Sequence, residues 1–212
     1  MAYFVLWGCM PVARGPALLP AGDGSSTQHS IELGAGDLGE LSTALYGGMQ
    51  YTFLRPIQQG RNWAYGGRLI GNAVQIEHYP PIPTAGLGLI ARRHLWDSDL
   101  SALQLEIGAA WLSASLPMRQ PLGQTAMLFW QPAVQLAPGH RYGLTSLPVG
   151  AAFPLKKNLV LSVSAELSLE SHLIWNWVDD GIASPFEPGY GASLGIHWQA
   201  PKKLGRGRTE KK

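Results

Sequence analysis

The sequence predicts an all-β fold, an antiparallel up-and-down β-barrel, on three observations. The first is two-residue alternation, clearest in Asn158–Leu169, where Leu159, Leu161, Val163, Ala165, Leu167 and Leu169 share one side and Ser162, Ser164, Glu166 and Ser168 the other. That period marks a strand with two unlike faces. The second is the regular return of turn residues between such runs, in a chain whose 212 residues suit a single barrel domain. The third is composition. Charged residues make up 14% of the chain, beside 26 glycines, too little charge for a wet surface of ordinary make-up, where about a quarter of residues are charged.

The runs follow in order. Gln28–Ala35 sets Ile31, Leu33 and Ala35 against Glu32 and Gly34, and Gly36-Asp37-Leu38-Gly39 supplies turn chemistry into Thr43–Leu54, so these two form a hairpin. In the second run Leu45, Met49, Tyr51 and Phe53 oppose Tyr46, Gly48, Gln50 and Thr52. Arg55–Asn62 is a polar break. Trp63–Gln75 is apolar on both faces, with Tyr65, Leu69 and Ala73 against Arg68, Ile70, Asn72 and Val74. Tyr79–Pro83 reads as a loop, since proline lacks the ladder donor. Thr84–Arg92 alternates Ala85, Leu87, Leu89 and Ala91 with Gly86, Gly88, Ile90 and Arg92. After Asp97-Ser98-Asp99, Ser101–Ser113 sets Leu103, Leu105, Ile107, Ala109 and Trp111 against Gln104, Glu106, Gly108 and Ala110.

Ser115–Gln124, carrying Pro117, Pro121 and Gly123, reads as a loop, and Ala126–Ala137 as a strand interrupted at Pro132. Pro138-Gly139 turns the chain into Thr145–Phe153, which Pro154–Asn158 links tightly to Asn158–Leu169. Glu170–Pro188 is the longest irregular segment, and Tyr190–Gln199 closes the series with Tyr190, Ala192, Leu194, Ile196 and Trp198 on one face. These are nine runs, and a closed single-chain bacterial barrel has an even number. The expected count is eight, the first run being a lead-in; ten is the alternative, with Glu170–Val178 adding a strand.

Side-chain size decides which solvent meets the apolar face. Opposite it stand mostly Gly, Ser, Ala and Gln, and no lysine occurs from 28 to 153, whereas sheet faces in water favour long charged side chains. Small residues suit the narrow interior of a barrel of about eight strands. The apolar face therefore points at lipid, and Tyr51, Phe53, Trp111, Tyr190 and Trp198, near strand ends in the apolar phase, are placed for interfacial girdles. No apolar run of 18 residues exists, which excludes a transmembrane helix and leaves a barrel, whose strands need only about 9–11 alternating residues.

The last run places Gly191, Leu194, Ile196 and Trp198 in the order of a C-terminal insertion signal. With the alternation over residues 28–200, it resembles the small bacterial outer-membrane β-barrel proteins, the eight-to-ten-stranded class. The resemblance implies an outer-membrane location, membrane lipids as surroundings and the barrel assembly machinery as a partner. The sequence departs from that class in carrying fourteen residues after Trp198, where such chains commonly stop at the terminal aromatic.

The ends are read separately. Residues 1–9 end in Leu6-Trp7-Gly8-Cys9, which resembles a bacterial lipobox and makes Cys9 the candidate for acylation. No basic residue precedes Arg14 where an export peptide has one, and Trp7 is bulky for the motif. As the single cysteine, Cys9 also excludes an internal disulfide and a cysteine zinc site. Residues 10–27, rich in Pro, Gly, Ala and Ser, read as a flexible linker. Residues 201–212 form a basic tail without interleaved aromatics, a solvated or headgroup-contacting end and no nucleic-acid surface.

With lipid outside, Glu32, Arg68, Arg92, Glu106, Glu166 and His197 point inward. Buried charges must pair, so these residues are expected to form an interior polar network, with Arg68 and Arg92 as candidate neighbours of Glu166. The expected role of the network is structural filling that blocks any pore; the alternative is a proton or ion path through it. Glu170, Ser171 and His172 supply the residue types of a Ser–His–carboxylate hydrolase, but neighbours on a strand point to opposite faces. No glycine-rich phosphate loop, HExxH or acidic calcium pattern occurs, and Asp179-Asp180 with Glu187, which could bind a cation, reads as an exposed solvated pair. The expectation is a barrel without catalysis, cofactor or metal, serving membrane integrity or surface contact. The alternatives are a soluble, exported lipocalin-like barrel with an apolar ligand inside, and a lipid-modifying barrel enzyme.

Overall fold

The computed structural model describes residues 27–37, 44–57, 62–76, 80–95, 100–109, 111–123, 125–137, 142–156, 158–171 and 187–200. Cys9, residues 10–26 of the linker, the basic tail, His172 and Asp179-Asp180 lie outside them, while Thr27, placed at the end of the linker, opens the first strand. The described residues form twelve strands: β1 (Thr27–Asp37), β2 (Ala44–Pro56), β3 (Trp63–Ile76), β4 (Ile82–His94), β5 (Ala102–Gly108), β6 (Leu112–Ser115), β7 (Met118–Leu122), β8 (Ala126–Trp130), β9 (Ala133–Ala137), β10 (Tyr142–Lys156), β11 (Leu159–Ser171) and β12 (Glu187–Ala200). Every pairing is antiparallel, and β1-β2-β3-β4-β5-β6-β9-β10-β11-β12 returns to β1 as a closed ring of ten.

The remaining two strands prolong the ring. Ser115 faces Ala133 and, three residues on, Met118 faces Trp130, so β7 and β8 continue β6 and β9 in one register. Strand β10 keeps step with both halves, Ser146 facing Ala133 and Val149 facing Trp130. The breaks fall at Leu116-Pro117 and Gln131-Pro132, where proline removes a ladder donor. Remaining donors bridge them: Leu116 N–H donates to Pro132 O at 2.9 Å, Gln131 N–H to Pro148 O at 3.0 Å and Ala102 N–H to Pro117 O at 2.9 Å.

The ring therefore holds ten strands, the other of the two expected numbers, and the tenth is not where it was sought. Of Ser115–Gln124, read as a loop, Ser115–Leu122 is wall, because Pro117 interrupts the ladder without diverting the chain and Pro121 stays in register opposite Met127. The first run is a full strand paired on both sides. Ser101–Ser113 is two strands with a reversal at Gly108–Trp111, where Gly108 N–H donates to Trp111 O at 2.8 Å. Pro83, expected in a loop, is the second residue of β4.

Stagger follows from register. Stepping between partners from Gln28 through Leu54, Gly66, Ile90, Glu106, Ser113, Gln135, Leu144 and Glu170 reaches Glu187, twelve residues along β12 from Gln199, which Gln28 itself faces. Strands so staggered tilt by about 40° to the barrel axis. The start of β1 and the end of β12 meet at one rim, Thr27 facing Ala200, called here the terminal rim.

Burial inverts the pattern of a water-soluble domain. Along β4 the apolar Leu89 is 69% exposed while the next residue but two, Arg92, is 1% exposed. The same holds around the ring: Leu33, Met49, Leu69, Leu105, Val149, Leu167 and Leu194 lie on the outer wall, and Ser30, Gln50, Thr52, Gln104, Gln135, Ser146 and Ser162 lie inside. Closure of the ten-stranded ring pairs most of the described backbone within the sheet, as a sheet requires where its surroundings cannot hydrogen-bond.

Candidate functional site

The interior contains the only concentration of ionisable groups among the described residues. All six sequence-named residues are buried there: Glu32 on β1, Arg68 on β3, Arg92 on β4, Glu106 on β5, Glu166 on β11 and His197 on β12. Each sits in the inward phase of its strand, so alternation alone turns it away from the outer wall.

Two groups of contacts organise them. In one, Arg68 Nη1 lies 3.1 Å from Glu106 Oε2 with both side chains almost wholly buried, and Trp111 Nε1–H donates to Glu106 Oε1 at 3.3 Å. The ring of Trp111 lies over Gly88 and Gly108, where any Cβ would collide with it. Beside this group, Arg92 donates through Nε at 3.0 Å and Nη2 at 2.7 Å to Gln104 Oε1. Thus Arg68 is engaged by Glu106 and Arg92 by Gln104. Glu166 lies between Pro148 and Gly191 in the ladder.

The second group surrounds Gly195. Register sets Glu32 on one side of this glycine and Ser162 on the other, with His197 two residues along the same face. Ser162 Oγ and His197 Nε2 share a hydrogen bond of 2.6 Å, and His197 Nδ1 faces Glu32 Oε1 at 3.9 Å. Gln50 Nε2–H donates to Glu32 Oε2. A Cβ on residue 195 would come within 2.6 Å of Ser162 Oγ and 2.8 Å of His197 Nε2, so only glycine leaves room for the cluster.

Serine, histidine and carboxylate here stand in the order of a nucleophile, base and orienting acid. Their setting is that of packing. His197 is fully buried, the 3.9 Å separation is too long for a hydrogen bond to Glu32, and neither the outer-wall groove nor the small recess beside Glu32 and Gln50 touches Ser162 or His197. Nearer the terminal rim Met127, Phe129 and Ala152 pack together against Val160. Ile70, Ile90 and Leu144 are buried farther along.

Sequence reasoning missed several interior residues. Trp111, expected on the lipid side, is 1% exposed, because the reversal after Gly108 swings its indole inward before β6 begins. Arg119 on β7 is buried and was hidden by the reading of its segment as a loop. Gln131, whose Nε2–H donates to Ser115 Oγ at 3.0 Å, sits at the proline break.

The outer wall carries its aromatics mainly at the terminal rim. His29 stacks on Trp198 with centroids 5.4 Å apart and on Tyr51 at 6.1 Å, and Tyr51 shares a 2.7 Å hydrogen bond with His29 Nδ1. Phe53, Trp63, Tyr65 and Phe153 are exposed near the same rim, and Arg93 lies 5.5 Å over the Trp63 ring. Tyr190 is exposed toward the opposite rim.

No protein-family model and no curated protein sequence matches the chain. Among solved structures it is similar to the anion-selective porin from Comamonas acidovorans, at 13% identity and a TM-score of 0.35 over 74% of this chain and 49% of the porin, so it spans about half the porin's length. It is also similar to the translocator domain of the autotransporter NalP from Neisseria meningitidis, at 12% identity and a TM-score of 0.41 over 85% of this chain and 90% of that domain. A third similarity is to Ail, the attachment invasion locus protein of Yersinia pestis, at 13% identity and a TM-score of 0.28 over 82% and 97% of the two chains.

Proposed function

We propose that this chain is a β-barrel of the bacterial outer membrane that serves membrane integrity or surface contact and performs no catalysis. One observation carries the proposal: the closed wall turns Leu and Val outward around its circumference and encloses Arg, Glu, Gln and Ser. In water that arrangement exposes a continuous apolar belt, far beyond the few hundred Å² that monomeric soluble proteins present. In hydrocarbon it is the stable orientation.

The composition of the interior bears on the alternatives. A lipocalin-like carrier needs an apolar cavity within, whereas the described interior carries Arg, Glu, Gln and Ser beside one small apolar cluster of Met127, Phe129 and Ala152. The side chains of Glu170, Ser171 and His172, the hydrolase candidates, lie outside the described residues, and neither the outer-wall groove nor the recess beside Glu32 and Gln50 reaches Ser162 or His197. Acylation at Cys9 and delivery by the barrel assembly machinery belong to the same proposal.

Detergent dependence tests it. The full chain, refolded into micelles, is expected to remain folded and monodisperse there and to aggregate when detergent is withdrawn. A folded monomer in plain buffer refutes the membrane assignment.

A further inference from the structure

On the outer wall, β4, β5, β6 and β9 enclose a groove of about 460 Å³ lined by Leu89, Ala91, Leu105, Leu112, Ala114 and Val134. Its depth comes from the small side chains of Ala91 and Ala114, which stand on either side of Leu105 in the ladder. The volume falls within the range of built ligand sites, about 300–1,000 Å³. Its lining is almost wholly apolar, so the matching occupant is a hydrocarbon chain.

The chemistry at its mouth is different. Arg93 follows Ala91 by two residues on the same face of β4, which places its guanidinium one step beyond the groove toward the terminal rim. Trp63 lies beneath that guanidinium at 5.5 Å. On the next strands, Trp63 faces Arg93 and Tyr65 faces Arg55, so two exposed guanidiniums flank two aromatic rings at the level where headgroups begin. Lys156 is the further exposed cation of the described outer wall, at the same rim on β10. Guanidiniums pair with phosphate oxygens in a planar fork and are held over aromatic faces at little cost in solvation.

We propose that the outer wall binds one anionic glycerophospholipid, with an acyl chain in the groove and its phosphate on Arg93, assisted by Arg55. This rests on the membrane assignment above. The two halves of the site are contiguous, and each recognises a different half of the lipid: the groove the chain, the arginines the charge.

The test uses the full chain reconstituted into vesicles of equal phosphatidylglycerol and phosphatidylcholine, then extracted in mild detergent and assayed by native mass spectrometry for retained lipid. Wild type is expected to retain one phospholipid, enriched in phosphatidylglycerol by about fivefold per engaged cation. Arg55→Gln with Arg93→Gln is expected to remove the enrichment and leave chain retention. Ala114→Trp, which fills the groove, is expected to abolish retention of both lipids; Ala91→Leu replaces it if the tryptophan variant fails to fold. Equal retention of the two lipids by wild type, or unchanged retention in the groove-filling variant, overturns the inference while leaving the membrane assignment intact. Failure of wild type to enter vesicles at all overturns both.

Discussion

Replacing Glu106 with Gln tests the interior most directly. Glu106 is the acceptor recorded for Arg68, at 3.1 Å, and both side chains are at most 2% exposed. The Nε and Nη2 atoms of Arg68 have no other partner among the described residues, so Glu106→Gln leaves a guanidinium buried with its charge uncompensated. Breaking a buried pair from one side costs about 3–5 kcal/mol, roughly two to four orders of magnitude in the unfolding equilibrium. Replacing both partners, Arg68→Met with Glu106→Leu, removes the charge and the need for it together, and is expected to recover most of the loss. The assay is urea unfolding in micelles, followed by the mobility difference between folded and unfolded barrel on unheated gels. Because Trp111 donates to the same carboxylate, its fluorescence should shift in the single variant before unfolding begins. A single-variant cost below about 1 kcal/mol, or a double-variant cost equal to the sum of the singles, would refute the claim that this pair is a coupled unit.

Four further outcomes are expected. Leu105→Arg, on the lipid side of β5, should cost about 2–4 kcal/mol in vesicles; equal stability to wild type there would mean that this face does not meet hydrocarbon. Gly195→Val should destabilise by about 1–3 kcal/mol through overpacking against Ser162 and His197, read as a lowered thermal midpoint. Ser162→Ala removes the 2.6 Å hydrogen bond on His197 Nε2 and should cost about 1–3 kcal/mol, with no change in any phospholipase assay; lost lipid turnover would instead identify Ser162 as a nucleophile. In planar bilayers the wild-type barrel should give no single-channel steps, and steady ion conductance would show that the interior is permeable.

Much of the wall was legible in the sequence because a period of two is a local property. Leu and Ser alternate in β11 for the same steric reason in a peptide and in the barrel, and the smallness of the non-apolar side indicated which face turned inward. The places where that reasoning slipped share a cause: the chain changed direction or lost a donor without the usual punctuation. Gly108-Ala109-Ala110-Trp111 carries no Pro, Asn or Asp, so the alternation ran straight through a reversal and put Trp111 outside. Pro117 and Pro121 have the opposite effect, looking like a loop while the backbone continues as wall.

The site was less legible than the wall. Inward placement of Glu32, Arg68, Arg92, Glu106, Glu166 and His197 follows from strand phase alone. Which of them touch depends on stagger, a property of the closed ring that no single run contains. Stagger brings Arg68 on β3 to Glu106 on β5, across an intervening strand, and Glu32 to His197 across the seam where the ends of the chain meet. Trp63–Gln75, apolar on both faces, resolves once the ring is closed: Leu69 meets the outside and Ile70 faces the lumen.

The wall is also uneven in height. Strand β5 has seven residues and ends at Gly108 opposite Gly88, whereas its neighbour β4 runs on six residues farther to Ile82, so the apolar belt dips where β5 turns into β6. A bilayer meeting a short stretch of protein thins to match it, at a fraction of a kcal/mol for each ångström of mismatch. The barrel would thus pull down the leaflet opposite the terminal rim along one side only, imposing a tilt on itself and a local softness on the surrounding membrane.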